Sequence, residues 1–317
     1  MDKVRVAVIG CGFWGKNQLR VFSELPNAEL VAAADIDPGR ARFAEERYGA
    51  KAYLDYVEML EKEKIDAVTI CTPSVTHAEV ALKVIEAGKH VLVEKPMTTT
   101  VEDGVKLIEA AQEQGVHLLV GHIERFNPGV QRVKKYIEDG KVGQVVLISS
   151  KRVSRWPIRI GDVGVVKDLA IHDIDIMRFL TGKDPVEVYA IAGSIQHKYE
   201  DYANIVLKFQ GLPVAFIEAN WLTPRKFREL KVTGSEGVIT LDYITQETTI
   251  MNSDGLFIPI TPWEEPLKKE LAHFVNVVAG LEKPLINGRD GLMAVYICEM
   301  ALKSASIGSP IKLKSPV

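Results

Sequence analysis

"VRVAVIGCGFWGKNQ", residues 4–18, decides how the rest of the chain is read. A short β-branched run meets a glycine-rich turn and passes directly into a helical pattern. Gly10, Gly12 and Gly15 fall in G-x-G-x-x-G spacing at the join. Gly10 permits a tight turn, Gly12 lets a pyrophosphate approach the backbone, and Gly15 lets the helix pack closely on the strand, with phosphate held at the helix N-terminus beside Phe13 and Trp14. Asp35 closes "LVAAAD" 20 residues after Gly15. An acid at that point accepts hydrogen bonds from ribose hydroxyls and repels a 2′-phosphate, so NAD is the expected cofactor rather than NADP. Asp37 is the better N-cap for a helix opening at Pro38.

Outward from this unit the pattern repeats. "AELVAAA", "DAVTIC", "HVLVE" and "HLLVGH" read as strands too uniformly apolar to keep one face wet, and the segments between them carry apolar residues at three and four spacing and often end in glycine. This predicts an α/β, Rossmann-like, doubly wound parallel sheet over residues 1–122. After about residue 143 the rhythm changes to consecutive strands such as "QVVLISSKRV", "YANIVLKFQ" and "GVITLDY", joined by short turns. Residues 123–317 are therefore expected to form an α+β domain with a mainly antiparallel sheet, covered by helices at 165–181, 264–282 and 289–306.

Composition bounds the function. The 317 residues are 47% apolar and 26% charged, with a net charge of −3. That balance gives no global field for nucleic acid or an anionic membrane. No apolar run approaches a bilayer span, and the first residues lack a signal-peptide pattern. Cys11, Cys71 and Cys298 have neither disulfide nor metal spacing, so a reduced, cytoplasmic setting without a metal is expected.

"HVLVEKPMTTT", residues 90–100, leads a buried-looking strand into Glu94 and Lys95. Charges there are costly unless paired or placed at a strand mouth facing ligand. Together with the glycine turn, "CTPSVTH", "VGHIERFNP", "VKDLAIHDID" and a closing "GLEKPLINGRDG" resemble the glucose-fructose oxidoreductase and inositol 2-dehydrogenase (Gfo/Idh/MocA) family over nearly the whole chain. The resemblance implies that Lys95 contacts the reacting hydroxyl, that the Lys95–Pro96 bond is cis, and that Lys95, Asp168 and His172 form the catalytic set. His172 suits removal of a hydroxyl proton, with Asp168 orienting it and Lys95 stabilising charge on oxygen; the roles of lysine and histidine can be exchanged. By the same analogy Thr72, Pro73, Ser74, His77 and Glu94 border the cofactor, and Arg125, Asn127 and His172 line the substrate side. His77 can equally be a surface residue at a helix start, and Arg125 and Asn127 can equally serve as a domain link. The second domain is expected to build a homodimer or homotetramer through its sheet.

The substrate is the least explicit feature. "KRVSRWPIR" holds Lys151, Arg152, Arg155 and Arg159 without an acid, and "RKFRELK" adds Arg225, Lys226, Arg228 and Lys231. One reading is a solvated strand surface; the other is that Arg155 and its neighbours meet phosphate or carboxylate. The second fits a nucleotide-linked sugar, and "VGHIERFNPGV" with "KDLAIHDIDIMRFLTG" resembles the UDP-N-acetylglucosamine 3-dehydrogenase branch. The expected reaction is NAD-dependent oxidation of a secondary hydroxyl, at the 3-position of a UDP-N-acetylhexosamine. A dehydrogenase of free inositol or sugar and a redox-neutral NAD-dependent glycoside hydrolase are the alternatives. The family often has glycines before the Asp168 position, where this chain has "VGVVKD".

Overall fold

The structure, a computed structural model, describes residues 3–157 and 161–316. Arg159 lies outside the described residues. In chain order the first elements are β1 (Val4–Ile9), α1 (Phe13–Glu24), β2 (Ala28–Ala34), α2 (Pro38–Tyr48), β3 (Lys51–Tyr53), α3 (Tyr56–Lys62), β4 (Ala67–Ile70), α4 (His77–Glu86), β5 (His90–Glu94), α5 (Val101–Gln114) and β6 (Leu118–Gly121). The six strands form a parallel sheet in the order β3-β2-β1-β4-β5-β6. Val6, Val8, Val68, Ile70, Val91 and Val93 are all buried, which is why these strands read as continuous apolar runs: both faces are covered. The strand order reverses between β1 and β4, so ligands are expected outside the carboxyl ends of these two strands. The short β3 and α3 were not legible as separate elements in the sequence pattern.

Helix boundaries follow local chemistry. Asp37 caps α2 by accepting from the amides of Gly39 and Arg40, and Gly49 ends it in a left-handed turn. Thr100 caps α5 through the amide of Asp103, and Gly115 closes it in the same way.

The chain continues through α6 (Pro128–Glu138), β7 (Val145–Arg155), a π-helical turn at Val166–Ala170, α7 (Ile171–Thr181), β8 (Glu187–Gly193), β9 (Tyr202–Lys208), β10 (Val214–Asn220), β11 (Leu222–Gly234), β12 (Gly237–Asp242), β13 (Thr248–Asn252), β14 (Gly255–Phe257), α8 (Pro266–Val278), α9 (Gly288–Ile307) and β15 (Ile311–Lys312). Among the described residues this second sheet has nine strands in the order β14-β13-β12-β11-β7-β10-β9-β8-β15. It is not a plain meander: β7 lies between β11 and β10, antiparallel to the first and parallel to the second. The long excursion from β7 through the 166–181 helix and the β8–β9 hairpin returns β10 to the side of β7, a pairing that no short turn signals.

Two compact units result. Met1–His122 packs with Leu267–Leu292, and Ile123–Pro266 packs with Met293–Val317. The sequence reading placed all of 123–317 in the second domain and used the 264–282 helix to cover its sheet. The structure instead packs α8 with the first unit, where Lys268 pairs with Glu24 at 3.1 Å and Asn27 donates to Asn276 at 2.8 Å.

Candidate active site

In the first unit the glycine turn has the geometry that its spacing predicts. Gly10 has φ of +90°, and a Cβ there would lie 2.7 Å from the Cys71 carbonyl carbon; a Cβ on Gly15 would lie 1.8 Å from the Gly10 oxygen. Both positions therefore exclude any side chain. At Gly12 the nearest group to an added Cβ is the Arg40 Nη1 at 3.9 Å, so the space above this residue is open. The N-terminus of α1 has no side-chain cap and no acid in its first turn. An uncapped helix start above an open glycine is a fit for the pyrophosphate of a dinucleotide.

Asp35 closes β2 with a buried carboxylate. One oxygen accepts from the Cys11 amide at 2.7 Å and the other from the Asp37 amide at 2.9 Å. These two bonds tie the acid to the glycine turn while each oxygen keeps acceptor capacity for a ribose hydroxyl. Around this rim stand apolar side chains that the motif reading did not single out. Ile36 is 92% exposed and Val75 is 60% exposed, next to Asp35 and Ser74 respectively. Exposed aliphatic residues at two strand mouths suit the faces of an adenine ring; a search for lone exposed apolar residues at strand ends would have flagged them. Phe13 is also exposed and meets Trp14 edge to face at 5.7 Å.

Burial, followed by the charge of Asp35, pushes the Cys11 thiol up to about 12, and burial followed by the charge of Glu94 raises Cys71 well above the usual thiol range. Neither is a thiolate nucleophile near neutral pH.

Thr72, Pro73 and Ser74 follow β4, and Glu94 and Lys95 end β5, so these residues gather with the glycine turn at the carboxyl end of the sheet. The Lys95–Pro96 bond is cis. Glu94 accepts from the Gln18 amide of α1 at 2.8 Å. His77, expected at the cofactor rim, is buried instead. Its Nδ1 is 2.7 Å from the Pro96 carbonyl oxygen and its Nε2 is 2.9 Å from the Thr72 carbonyl oxygen, so the ring is turned inward to backbone.

In the second unit Asp168 lies within the π-helical turn and His172 in the first turn of α7, both buried. A π turn inside a helix is a frequent mark of a functional position. Its start is fixed by Glu200, whose side chain accepts from the Val166 amide at 3.1 Å and whose carbonyl accepts from the Val165 amide at 2.9 Å. A Cβ on Gly164 would fall 2.1 Å from the Glu200 carboxyl, so a side chain there would displace the group that seats the helix start. Burial raises the Glu200 carboxyl above its ordinary range.

The expected substrate residues Arg125 and Asn127 are placed differently. Arg125 is buried and bidentate to Asp175, at 2.8 and 2.6 Å. Asn127 caps α6 through the Gly129 amide and donates to Glu124 at 3.2 Å and to the Tyr243 carbonyl at 3.0 Å. Arg152, from the basic run, is buried as well, donating to Asp173 at 2.7 Å and to Glu124 at 2.8 Å beneath the Tyr243 ring. Burial opposes the charge on Glu124, yet Arg152 and Arg228 more than offset it and hold its carboxyl below the usual range. These side chains are a paired interior network, and a substrate role for Arg125 or Asn127 would require breaking it.

Arg155 remains exposed at the end of β7. It pairs in register with Leu222, while Val153 pairs with Phe227, so residues 223–226 bulge opposite Ser154. The Asn220 side chain organises this bulge by accepting from the amides of Leu222 and Thr223 at 3.1 Å each. Arg225 and Lys226 are thereby exposed beside the end that carries Arg155.

The family model described as an oxidoreductase family with an NAD-binding Rossmann fold matches residues 4–122, and the GFO/IDH/MocA C-terminal domain matches residues 130–240. This chain is a member of the GFO/IDH/MocA family. It is 34% identical to inositol 2-dehydrogenase 2 of Saccharopolyspora erythraea, over 96% of this chain and 94% of that protein. It is 29% identical to the myo-inositol 2-dehydrogenase of Thermotoga maritima, over 99% of this chain and all of that one. Among solved structures, UDP-N-acetylglucosamine 3-dehydrogenase of Acidithiobacillus ferrooxidans superposes with a TM-score of 0.88 at 25% identity, covering 97% of this chain and 99% of the other. The GFO/IDH/MocA member described here is thus an NAD-dependent oxidoreductase that acts on CH–OH groups of sugars or polyols. Among its described residues no helix is long and apolar enough to cross a membrane, and no group of three or more His, Cys, Asp or Glu residues could hold a metal ion.

Proposed function

We propose that the enzyme oxidises the 3-hydroxyl of a UDP-N-acetylhexosamine to a ketone, with Lys95, Asp168 and His172 as the residues that handle the hydroxyl. Bound NAD supplies a hydride acceptor for the carbinol carbon. As the carbon loses hydride, the oxygen loses its proton to the neutral side chain of His172 or Lys95, and the other of the two, protonated, stabilises the charge on oxygen; Asp168 orients its neighbour on the same helical segment. Asp35, Gly12 and the open start of α1 hold the dinucleotide.

The observation that supports the nucleotide-linked substrate is the β11 bulge. Arg125 and Arg152 are used up in the interior, whereas Arg155 is exposed at the end of β7 and Arg225 is exposed in the bulge opposite it, a bulge that holds no acid. Such a set suits a diphosphate, whereas a neutral cyclitol gives it no task. Oxidation of free inositol is the second reading, favoured by the 34% identity to an inositol 2-dehydrogenase. Incubating the enzyme and NAD with UDP-N-acetylglucosamine, myo-inositol, scyllo-inositol and glucose, and following NADH, separates the two. NADH formed with the UDP-sugar is the expected result. NADH from a free cyclitol with every UDP-sugar inert would overturn the substrate while leaving the dehydrogenase assignment in place.

The reading extends to assembly and setting. The face of the nine-stranded sheet that carries Phe216, Lys151, Glu218, Glu229 and Lys231 holds an open concavity of about 640 Å³. Lys151 and Glu218 pair across β7 and β10 at 3.3 Å, and Phe216, two residues before Glu218 on β10, is 45% exposed. Both charge signs around an exposed aromatic make this face self-complementary, which suits an isologous contact with a second copy in the cytoplasm.

A further inference from the structure

His77 has an arrangement that the cofactor reading does not use. The ring is 1% exposed and sits at the start of α4, packed under the mouths of β4 and β5. Each ring nitrogen faces a backbone carbonyl oxygen: Nδ1 with Pro96 at 2.7 Å and Nε2 with Thr72 at 2.9 Å. A carbonyl oxygen can only accept, and a neutral imidazole has one N–H and one bare nitrogen. A neutral ring in this pose would press a nitrogen lone pair against a carbonyl lone pair at hydrogen-bond distance. An imidazolium satisfies both contacts, each a charge-assisted bond that is stronger than a neutral one.

The two carbonyls belong to the segments that matter. Thr72 opens the loop after β4 that borders the cofactor, and Pro96 is the residue after Lys95. The Thr72 side chain is itself anchored, accepting from the Thr76 hydroxyl at 2.9 Å. Through one rigid five-membered ring the spacing between these two loops is fixed.

We propose that His77 is a positioning residue that carries hydrogen on both ring nitrogens and ties the Thr72 carbonyl to the Pro96 carbonyl, thereby fixing the backbone from which Lys95 reaches the hydroxyl. The proposal rests on the assignment of Lys95 to the reaction. Loss of the tie displaces Lys95 without touching substrate, and a displacement near 1 Å can lower a rate by about 10²-fold.

Two measurements test it. The first is ¹⁵N NMR of the histidine rings of the full chain at pH 7.5, with His77 assigned by comparison with His77→Gln. The expected signal has two protonated, imidazolium-type nitrogens; one bare, pyridine-type nitrogen overturns the doubly donating ring. This arm needs no substrate, so it stands even if the proposed reaction fails. The second compares kcat, KM and the NAD dissociation constant of wild type, His77→Gln and His77→Leu. His77→Leu is expected to lose about 10- to 100-fold in kcat, with KM and NAD affinity within about 3-fold of wild type. His77→Gln, which can restore one of the two bonds, is expected to fall between them. A kcat for His77→Leu within about 3-fold of wild type, with the protein folded, overturns the positioning role.

Discussion

Lys95 at the end of β5 and Arg152 within β7 are both cations set into apolar strands, and the protein uses them in opposite ways. Lys95 stands at the carboxyl end of a parallel sheet, half-buried, on the rim where the glycine turn and the β4 loop converge. Arg152 is fully buried, and Asp173, Glu124 and the Tyr243 ring occupy its guanidinium. The first can meet a ligand, whereas the second is committed to its own fold. A charge at the carboxyl end of a parallel sheet lies where ligands bind, whereas a charge enclosed among its own counter-ions is architecture.

The comparison breaks most visibly at the interior network. Asp173→Ala leaves Arg152 buried with half its partners and should destabilise the protein by about 3–5 kcal/mol, read as a lowered urea midpoint. A change below about 1 kcal/mol would mean that the network contributes little and that Arg152 is available for other work.

The glycine turn sharpens the contrast within one motif. Gly12→Ala adds a methyl group where nothing but Arg40 lies within 4 Å, so folding should be unaffected while NAD binding weakens by about 10- to 100-fold in calorimetric titration. Gly15→Ala forces its methyl into the Gly10 carbonyl and should lower the melting temperature as well. Equal effects of the two substitutions on stability would contradict the division of roles.

The smallest effect is expected at Glu200. Burial raises its carboxyl, so the folded protein holds that proton to higher pH than the unfolded chain. Stability from this group therefore falls as pH rises from the unfolded value, about 4.3, through the raised one. Glu200→Gln keeps an acceptor for the Val166 amide and removes this dependence. The variant should melt about 1–2 °C higher than wild type at pH 8 and show no gain at pH 4. A lower melting point at pH 8 would show that the charge itself seats the helix start.

What could be read from the sequence was what is decided locally. The tight turn at Gly10, the close packing at Gly15, the Asp37 cap and the uniformly buried strands depend on residues a few positions apart, and the structure has them as expected. Arg125 and Asn127 were assigned to substrate because their partners are distant: Asp175 lies 50 residues away and Tyr243 lies 116 residues away. The placement of α8 in the first unit rests on Glu24 and Asn27, each more than 240 positions from its partner. The parallel pairing of β10 with β7 closes an excursion of some sixty residues with no turn to announce it. Asp168 and His172 are singled out by their spacing and by the family resemblance, but the π turn that carries one of them has no sequence period of its own.

The account stands most directly on Lys95. Turnover of Lys95→Ala, measured with NAD and the substrate that proves active and normalised to folded protein, should fall by about 10²- to 10⁴-fold, with the NAD dissociation constant and melting temperature close to wild type. Near-normal turnover, or a loss explained by unfolding, would place Lys95 with Arg152 among the residues that build the fold and would contradict the proposed catalytic set.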